Sequence, residues 1–386
     1  MQGNGKTVLV LGAGVGGIMA ARELRRRLPA RHRVVLIERG GTFTFAPSYL
    51  WVLTGARTGP GITRPLSRLA RRGVEVVHGT IDRIDPARRS VHVGGRNLQG
   101  DFLVIALGAE FAPELIPGLA ESGDGLYDLE GSERLREKLT TIRHGRLAVL
   151  TATPAYRCPA APYEAAMLIE SVLRRRGVRD GVRIDFYAAE SGPMGVAGPE
   201  VSRAVRGMIE TKGLGYHPDH QIKVVDAQRR ALLFENGVTA EFDHLAFVPP
   251  HRAPEVTHVS DLVGAGGWLQ VDRHSLATVH EGVFAIGDVV SIPLKMGKPL
   301  PKAGVFAHAQ AIVVARNIAR AITGRGEPAL FDGHGECFVE VGDSRAGFGK
   351  GNFYAEPAPQ VRLYPPNRWW HLGKVALEQY WLRRVL

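Results

Sequence analysis

Cysteine is scarce: the 386-residue chain holds two, Cys158 and Cys337. Two cysteines cannot frame a disulfide-stapled scaffold. Nor does any apolar run reach the roughly 20 residues that a membrane-crossing helix needs. The start, "MQGNGKTVLVLGAG", lacks the charged region, apolar stretch and small-residue site of a secretory leader, so none is expected. Acidic residues are fewer than basic ones, 38 against 49, for a formal charge of +11. An excess of that sign suits nucleic acid, anionic lipid or an anionic substrate. No basic motif interleaved with aromatics and no helix-turn-helix pattern accompanies it, which argues against nucleic acid. There is also no fixed-period repeat and no low-complexity tract.

What is present reads as α/β. "TVLVL" (7–11) has the continuous apolar character of a strand buried on both faces. "GAGVGGIMAARELRRRL" supplies a turn and a helix, and "RVVLIE" (33–38) a second strand. Gly12, Gly14 and Gly17 stand in G-x-G-x-x-G register inside this β-α-β unit. The first glycine permits a tight turn, the second a close approach of the pyrophosphate, the third close helix–strand packing. Phosphates would meet free N–H groups at the positive end of the helix. Glu38 follows 21 residues after Gly17, where a carboxylate can accept from ribose hydroxyls, with Arg39 beside it. The unit predicts a dinucleotide site.

Residues 74–109 read as short strands with polar turns, and 110–130 as a Pro-, Gly- and acid-rich crossing segment. A second α/β unit follows. Its strand "RLAVL" (146–150) leads into "TATPAYRCPAAPYE" (151–164), where a glycine loop would be expected; Pro154, Arg157, Cys158 and Pro159 stand there instead. Prolines in that turn remove N–H donors and approach room that a second pyrophosphate would use. Pro162 suits a first helical turn and Gly177 the helix end. Cys158 thus falls just before a helix N-terminus, a position that lowers a thiol pKa. "GVFAIGD" (282–288) reads as a strand and "AGVFAHAQAIVVARNIARAI" (303–322) as a helix. The expected organisation is a discontinuous first domain, 1–115 with 258–325, a second Rossmann-like domain, 116–257, and a C-terminal region, 326–386.

Several segments resemble one family. "DFLVIALGAE" resembles the Ala-Thr-Gly strand of two-dinucleotide flavoproteins, with Ala106, Leu107 and Gly108 at the motif. "GVFAIGDVV" resembles their Gly-Asp motif, here Gly287 and Asp288, whose aspartate holds the FAD ribityl chain. "CPAAPYE" is similar to the cysteine element of sulfide:quinone oxidoreductases and flavocytochrome c sulfide dehydrogenases. "TFTFAPSYLWVLTG", with Pro47 and Ser48, resembles their segment near the flavin, and "PKAGVFAHAQAIVVARNI", with Lys302 and Gly304, their Pro-Lys-x-Gly helix. "CFVEVGDSRAGF" resembles the strand of their second redox cysteine.

The resemblance covers nearly the whole chain and implies an FAD flavoprotein that oxidises sulfide to sulfur or polysulfide. Cys158 and Cys337 would form the redox pair, and two electrons would pass to a membrane quinone. It implies that Glu164 is an acid or base in the sulfur pocket; a first-turn carboxylate serving the helix dipole is the plain reading. Lys302 would bring positive charge to the flavin, unless it is a snorkelling surface lysine. Phe338 and Phe348 would flank the quinone, unless they are ordinary core aromatics. No cysteine occurs in 39–50, so FAD is expected to be non-covalent and no metal is expected. The chain departs from the family where Tyr127 stands near the place of a third cysteine and where 191–200 lacks a histidine.

Most of Trp369, Trp370, Leu372, Val375, Ala376, Leu377, Tyr380 and Trp381 fall within about half of a helix circumference, with Arg368, Lys374, Arg383 and Arg384 nearby or at the ends. That pattern suits the lipid interface and predicts a peripheral membrane protein, on the cytoplasmic face. Homo-oligomerisation stays open. The rival readings are a type II NADH:quinone oxidoreductase, a sulfide dehydrogenase with a cytochrome acceptor, and a non-catalytic flavin-binding membrane sensor.

Overall fold

The structure, a computed structural model, describes residues 5–258, 261–264 and 266–386. Met1–Asn4, where the absence of a leader was expected, lie outside the described residues, as do Val259, Ser260 and Ala265 of the expected return segment.

Two parallel five-stranded sheets organise the chain. In the first, β1 (Thr7–Leu11) is followed by α1 (Val15–Arg27), β2 (Arg33–Glu38), β3 (Glu75–His78) and β4 (Phe102–Ile105). The second begins with a two-residue edge at Asp124–Gly125 and α2 (Leu129–Thr141). It continues through β5 (Gly145–Thr151), α3 (Ala161–Arg175), β6 (Val182–Ala188), α4 (Pro199–Thr211), β7 (Gly215–His217) and β8 (His244–Val248). The chain then returns to the first sheet through β9 (Val283–Ala285) and α5 (Gly304–Thr323). The orders are β9-β4-β1-β2-β3 and, from the Asp124 edge, β8-β5-β6-β7.

β1 therefore lies between β2 and β4, and β5 between β6 and β8. Each is a switch point, where ligands bind beyond the carboxyl ends of the strands. Val8, Val10 and Leu11 have no exposed surface, because helices cover both faces of a parallel sheet. Truncating one such leucine to alanine costs about 2–5 kcal/mol.

A three-stranded antiparallel sheet closes the molecule: β10 (His334–Gly342), β11 (Arg345–Asn352) and β12 (Gln360–Asn367). It covers α3 and leads into α6 (Arg368–Tyr380) and one π-turn, Trp381–Val385. Asn367 caps α6 by accepting from the Trp370 N–H.

The tail differs from the expectation. Trp381 does not face outward; it stacks on Phe43 and Phe45 of the first core, at 5.8 and 6.0 Å. Lys374 does not flank the apolar face either; it is buried, as is Glu378. Glu378 accepts from Ser48 Oγ at 2.6 Å and pairs with Arg57. Both ionic side chains turn inward because buried partners await them, while Trp369 (78 % exposed), Leu372, Leu377 and Tyr380 face out.

Candidate active site

The loops that follow β1, β2, β4 and β9 meet at one edge of the first sheet. Gly12, at φ +95°, would set a Cβ 2.6 Å from the Ala106 carbonyl oxygen, and Gly17 one 1.8 Å from the Gly12 oxygen. Neither position tolerates a side chain. At Gly14 a Cβ would meet nothing within 4 Å, and the same holds at Gly108, φ +73°. The protein thus closes two glycines against itself and leaves two open.

Glu38 accepts from the Ala13 N–H at 2.7 Å and the Gly40 N–H at 3.1 Å, which fixes its carboxylate beside the turn. Arg39 and Pro47 are exposed. Ser48 is buried, with its hydroxyl committed to Glu378. Gly287 donates to Gln310, and Gly304 opens α5, whose first turn has no acidic residue. Among the described residues no hydrogen bond reaches the Asp288 carboxyl, and burial raises its pKa. An open glycine backbone, two helix N-termini and a half-buried carboxyl without a hydrogen-bond partner among the described residues fit the pyrophosphate and polyol of FAD. Gly12, Gly14, Gly17, Glu38, Ala106, Gly108, Asp288 and Gly304 are the residues that would hold it.

Lys302 does not snorkel. Its ammonium donates to the Asp288 and Val290 carbonyls at 2.7 and 2.9 Å and sits 3.3 Å from the Trp268 ring centre. Burial pushes it down to about 8, against the pull of Asp288. Its own carbonyl accepts from the Cys158 N–H at 2.6 Å, so the cysteine turn is strapped to the segment that leads into α5.

Cys158 adopts φ +49°, a left-handed conformation that costs a non-glycine residue about 1–2 kcal/mol. Besides the Lys302 strap, its carbonyl accepts from Ala161 N–H at 2.9 Å and Tyr127 OH at 3.1 Å. The helix terminus does not depress the thiol as expected. Burial dominates, with Glu164 adding to it, and pushes Cys158 up to about 11 despite Lys374, the Ala161 N–H and Arg157. Cys337, on β10, is raised still further by burial, with the charges of Cys158 and Glu164 adding to it.

Glu164 is buried in the first turn of α3. It accepts from the Glu340 N–H at 2.9 Å and from Lys374 Nζ at 3.3 Å. Burial raises its pKa; Lys374 and the Glu340 N–H oppose. Lys374 is pulled down by burial, but Glu164, Glu340 and both thiols outweigh that and raise it. Two half-buried thiols, one buried carboxyl and one buried ammonium thus form a single electrostatic unit. Phe338 and Phe348 lie beside it with ring centres 5.1 Å apart, and Phe348 stacks on Trp370 at 4.4 Å.

Sequence reasoning missed Lys374, Glu340 and His371, which come from the far end of the chain. It also missed Glu190, just past β6, at the place corresponding to Glu38. Glu190 accepts from the hydroxyls of Tyr156, Tyr163 and Thr151. A ribose would have to displace all three. His251, whose Nδ1 bonds the Pro249 carbonyl at 2.8 Å, leaves Nε2 buried without a partner; burial holds it neutral, near 4. Nothing in its sequence context marked it.

Two switch-point sheets, one with an open glycine cradle and one with a cysteine turn, define an FAD-dependent oxidoreductase. The chain belongs to the pyridine nucleotide-disulphide oxidoreductase family, whose model matches residues 6–311. It is 28 % identical to the sulfide-quinone reductase of Aquifex aeolicus, over 98 % of this chain and 91 % of that one. Identity to the mitochondrial sulfide:quinone oxidoreductase of Mus musculus is 24 %, covering 91 % of this chain and 79 % of that one. The X-ray structure of the sulfide:quinone oxidoreductase from Aquifex aeolicus superposes with a TM-score of 0.89 at 26 % identity, over 98 % of this chain and 91 % of that one.

Proposed function

We infer that the protein oxidises sulfide at Cys158 and Cys337 and delivers two electrons through FAD to a quinone. The observation that carries this reading is the shared electrostatic unit of both half-buried thiols with Glu164 and Lys374, with the Cys158 turn strapped to Lys302. The two similar proteins named above act on sulfide and quinone, which supports it.

In the oxidised state the two sulfurs are bridged. Hydrosulfide attacks Cys158, the bridge breaks, a new sulfur–sulfur bond forms there, and Cys337 leaves as thiolate. Closing the cycle releases sulfur at the zero-valent level, one proton and two electrons from each hydrosulfide. FAD supplies the acceptor for those electrons. An oxidised quinone takes them up with two protons and leaves as the quinol. On this reading Phe338 and Phe348 would border its ring.

NADH is disfavoured as the reductant, because Tyr156, Tyr163 and Thr151 occupy the carboxylate that would hold its ribose. Among the described residues no helix is long and apolar enough to cross a membrane. The outward Trp369, Leu372, Leu377 and Tyr380 support attachment to a membrane surface, where a lipid-dissolved quinone is reached.

Anaerobic titration tests the reading. Sulfide is expected to bleach the bound flavin and a short-chain quinone to restore its colour. Bleaching by NADH, with sulfide inert, would replace this function with NADH:quinone reduction.

A further inference from the structure

Cys158 and Cys337 are half-buried and the acid–base groups beside them are buried, yet each hydrosulfide oxidised must shed a proton. Glu164 and Lys374 are 3 % and 6 % exposed and reach no solvent themselves. The loop at 191–200 offers no histidine. Three residues beyond Cys337, however, Glu340 lies 1 % exposed, with its N–H on Glu164 and its carboxylate on His371. His371 Nδ1 stands 3.0 and 3.1 Å from the two Glu340 oxygens. The His371 side chain is 21 % exposed, so this imidazole links the interior to water. Its ring meets Trp51 edge-on at 5.7 Å, and Lys374 lies 5.2 Å from the same indole. His371 and Lys374 are i and i+3 on α6, hence on one face.

We propose that Glu340 and His371 are the proton exit of the sulfur site, relaying protons from Glu164 and Lys374 to solvent. The proposal rests on the sulfide reading above. A thiol proton passes to the Glu164 carboxylate. The Lys374 ammonium gives one proton to Glu340 as it receives one from Glu164. Glu340 hands it to Nδ1 of His371, which releases one from Nε2. Only S–H, O–H and N–H bonds change and no electrons move, so one proton leaves for each one taken. The charged and titratable groups around this path are Cys158, Cys337, Glu164 and Lys374, with Tyr127 beyond Glu164. Glu378, one turn along α6, is held by Arg57 and Ser48 and is not part of it. Glu340 and His371 are positioning and relay residues; neither need touch sulfur.

The test is rapid anaerobic mixing of the full flavin-loaded chain with sulfide, from about pH 5.5 to 9. His371→Gln is expected to slow flavin reduction about tenfold to a hundredfold and to flatten the acid limb of the pH profile. Added imidazole should restore much of the rate. His371→Asn provides a second chance of a folded variant, checked by flavin content, and Glu340→Gln should be slow without rescue. Native rates and profile in both histidine variants would overturn the proposal, as would a loss that imidazole leaves unchanged. If sulfide fails to reduce the flavin of the unaltered protein, the functional reading itself falls; if it reduces it and the variants match, only the relay falls.

Discussion

The two parallel sheets are built alike and used differently. β1 and β5 hold equivalent central positions, and each releases the chain into a turn before a helix. After β1 the turn is bare backbone, closed at Gly12 and Gly17 and open at Gly14. After β5 the turn carries Tyr156, Arg157 and Cys158. At the end of the neighbouring strands, Glu38 is fixed by two backbone N–H groups, while Glu190 is spent on three hydroxyls. One architecture serves a nucleotide when its polar groups are left available, and a thiol when they are consumed internally.

The strongest way to break this comparison is to remove the sulfur from the second turn. Cys158→Ser or Cys337→Ser should lower sulfide-driven flavin reduction by about a thousandfold or more, since one cysteine alone cannot form the bridge that hydrosulfide attacks. Stopped-flow bleaching would show it, and native rates would mean the second turn is inert. Gly17→Ala attacks the first turn. Its Cβ would fall 1.8 Å from the Gly12 oxygen, so the purified protein should hold less than about a tenth of the native FAD. Absorbance at the flavin band against protein decides it.

The local pattern made the glycine turn legible, because each of its roles is a backbone property of one short segment. The β-α-β unit, "GVFAIGD" and the helix at 303–322 were legible for the same reason. The Cys158 environment was not. A helix N-terminus argued for an acidic thiol, but the covering strands of β10 and β11 lie some 180 positions away, and burial outweighs the dipole. Likewise, helical periodicity found the apolar residues of the tail without showing that Lys374 and Glu378 would turn inward. Their partners, Glu164, Ser48 and Arg57, are set by the tertiary fold.

A finer test follows from that burial. In the dithiol form, Cys158 at about 11 is roughly 0.1 % thiolate at pH 8, against about a quarter for a free cysteine. Alkylation by iodoacetamide should therefore run about a hundredfold slower than for free cysteine and quicken up to pH 11. A fast reaction at pH 8 would restore the dipole argument. The raised value also sets the sign of linkage. From about pH 9 to 11 the unfolded chain loses this proton first, so stability falls across that window. The smallest expected effect is at Glu190. Glu190→Gln weakens three hydroxyl contacts and should cost about 1–3 kcal/mol in urea unfolding, without enabling NADH to bleach the flavin. NADH activity in that variant would show that the two turns differ by one carboxylate alone.

On the proposed reading, the last helix would tie attachment to chemistry. Lys374, which neutralises Glu164, is carried by the same α6 that shows Trp369 and Leu372 to the outside and is seated through Glu378 and Trp381. Clipping the tail would not yield a freely diffusing version of the same catalyst. It would strip the ammonium from beside Glu164 and uncap Phe43 and Phe45, so on the proposed reading anchorage and turnover would stand or fall as one mechanical part.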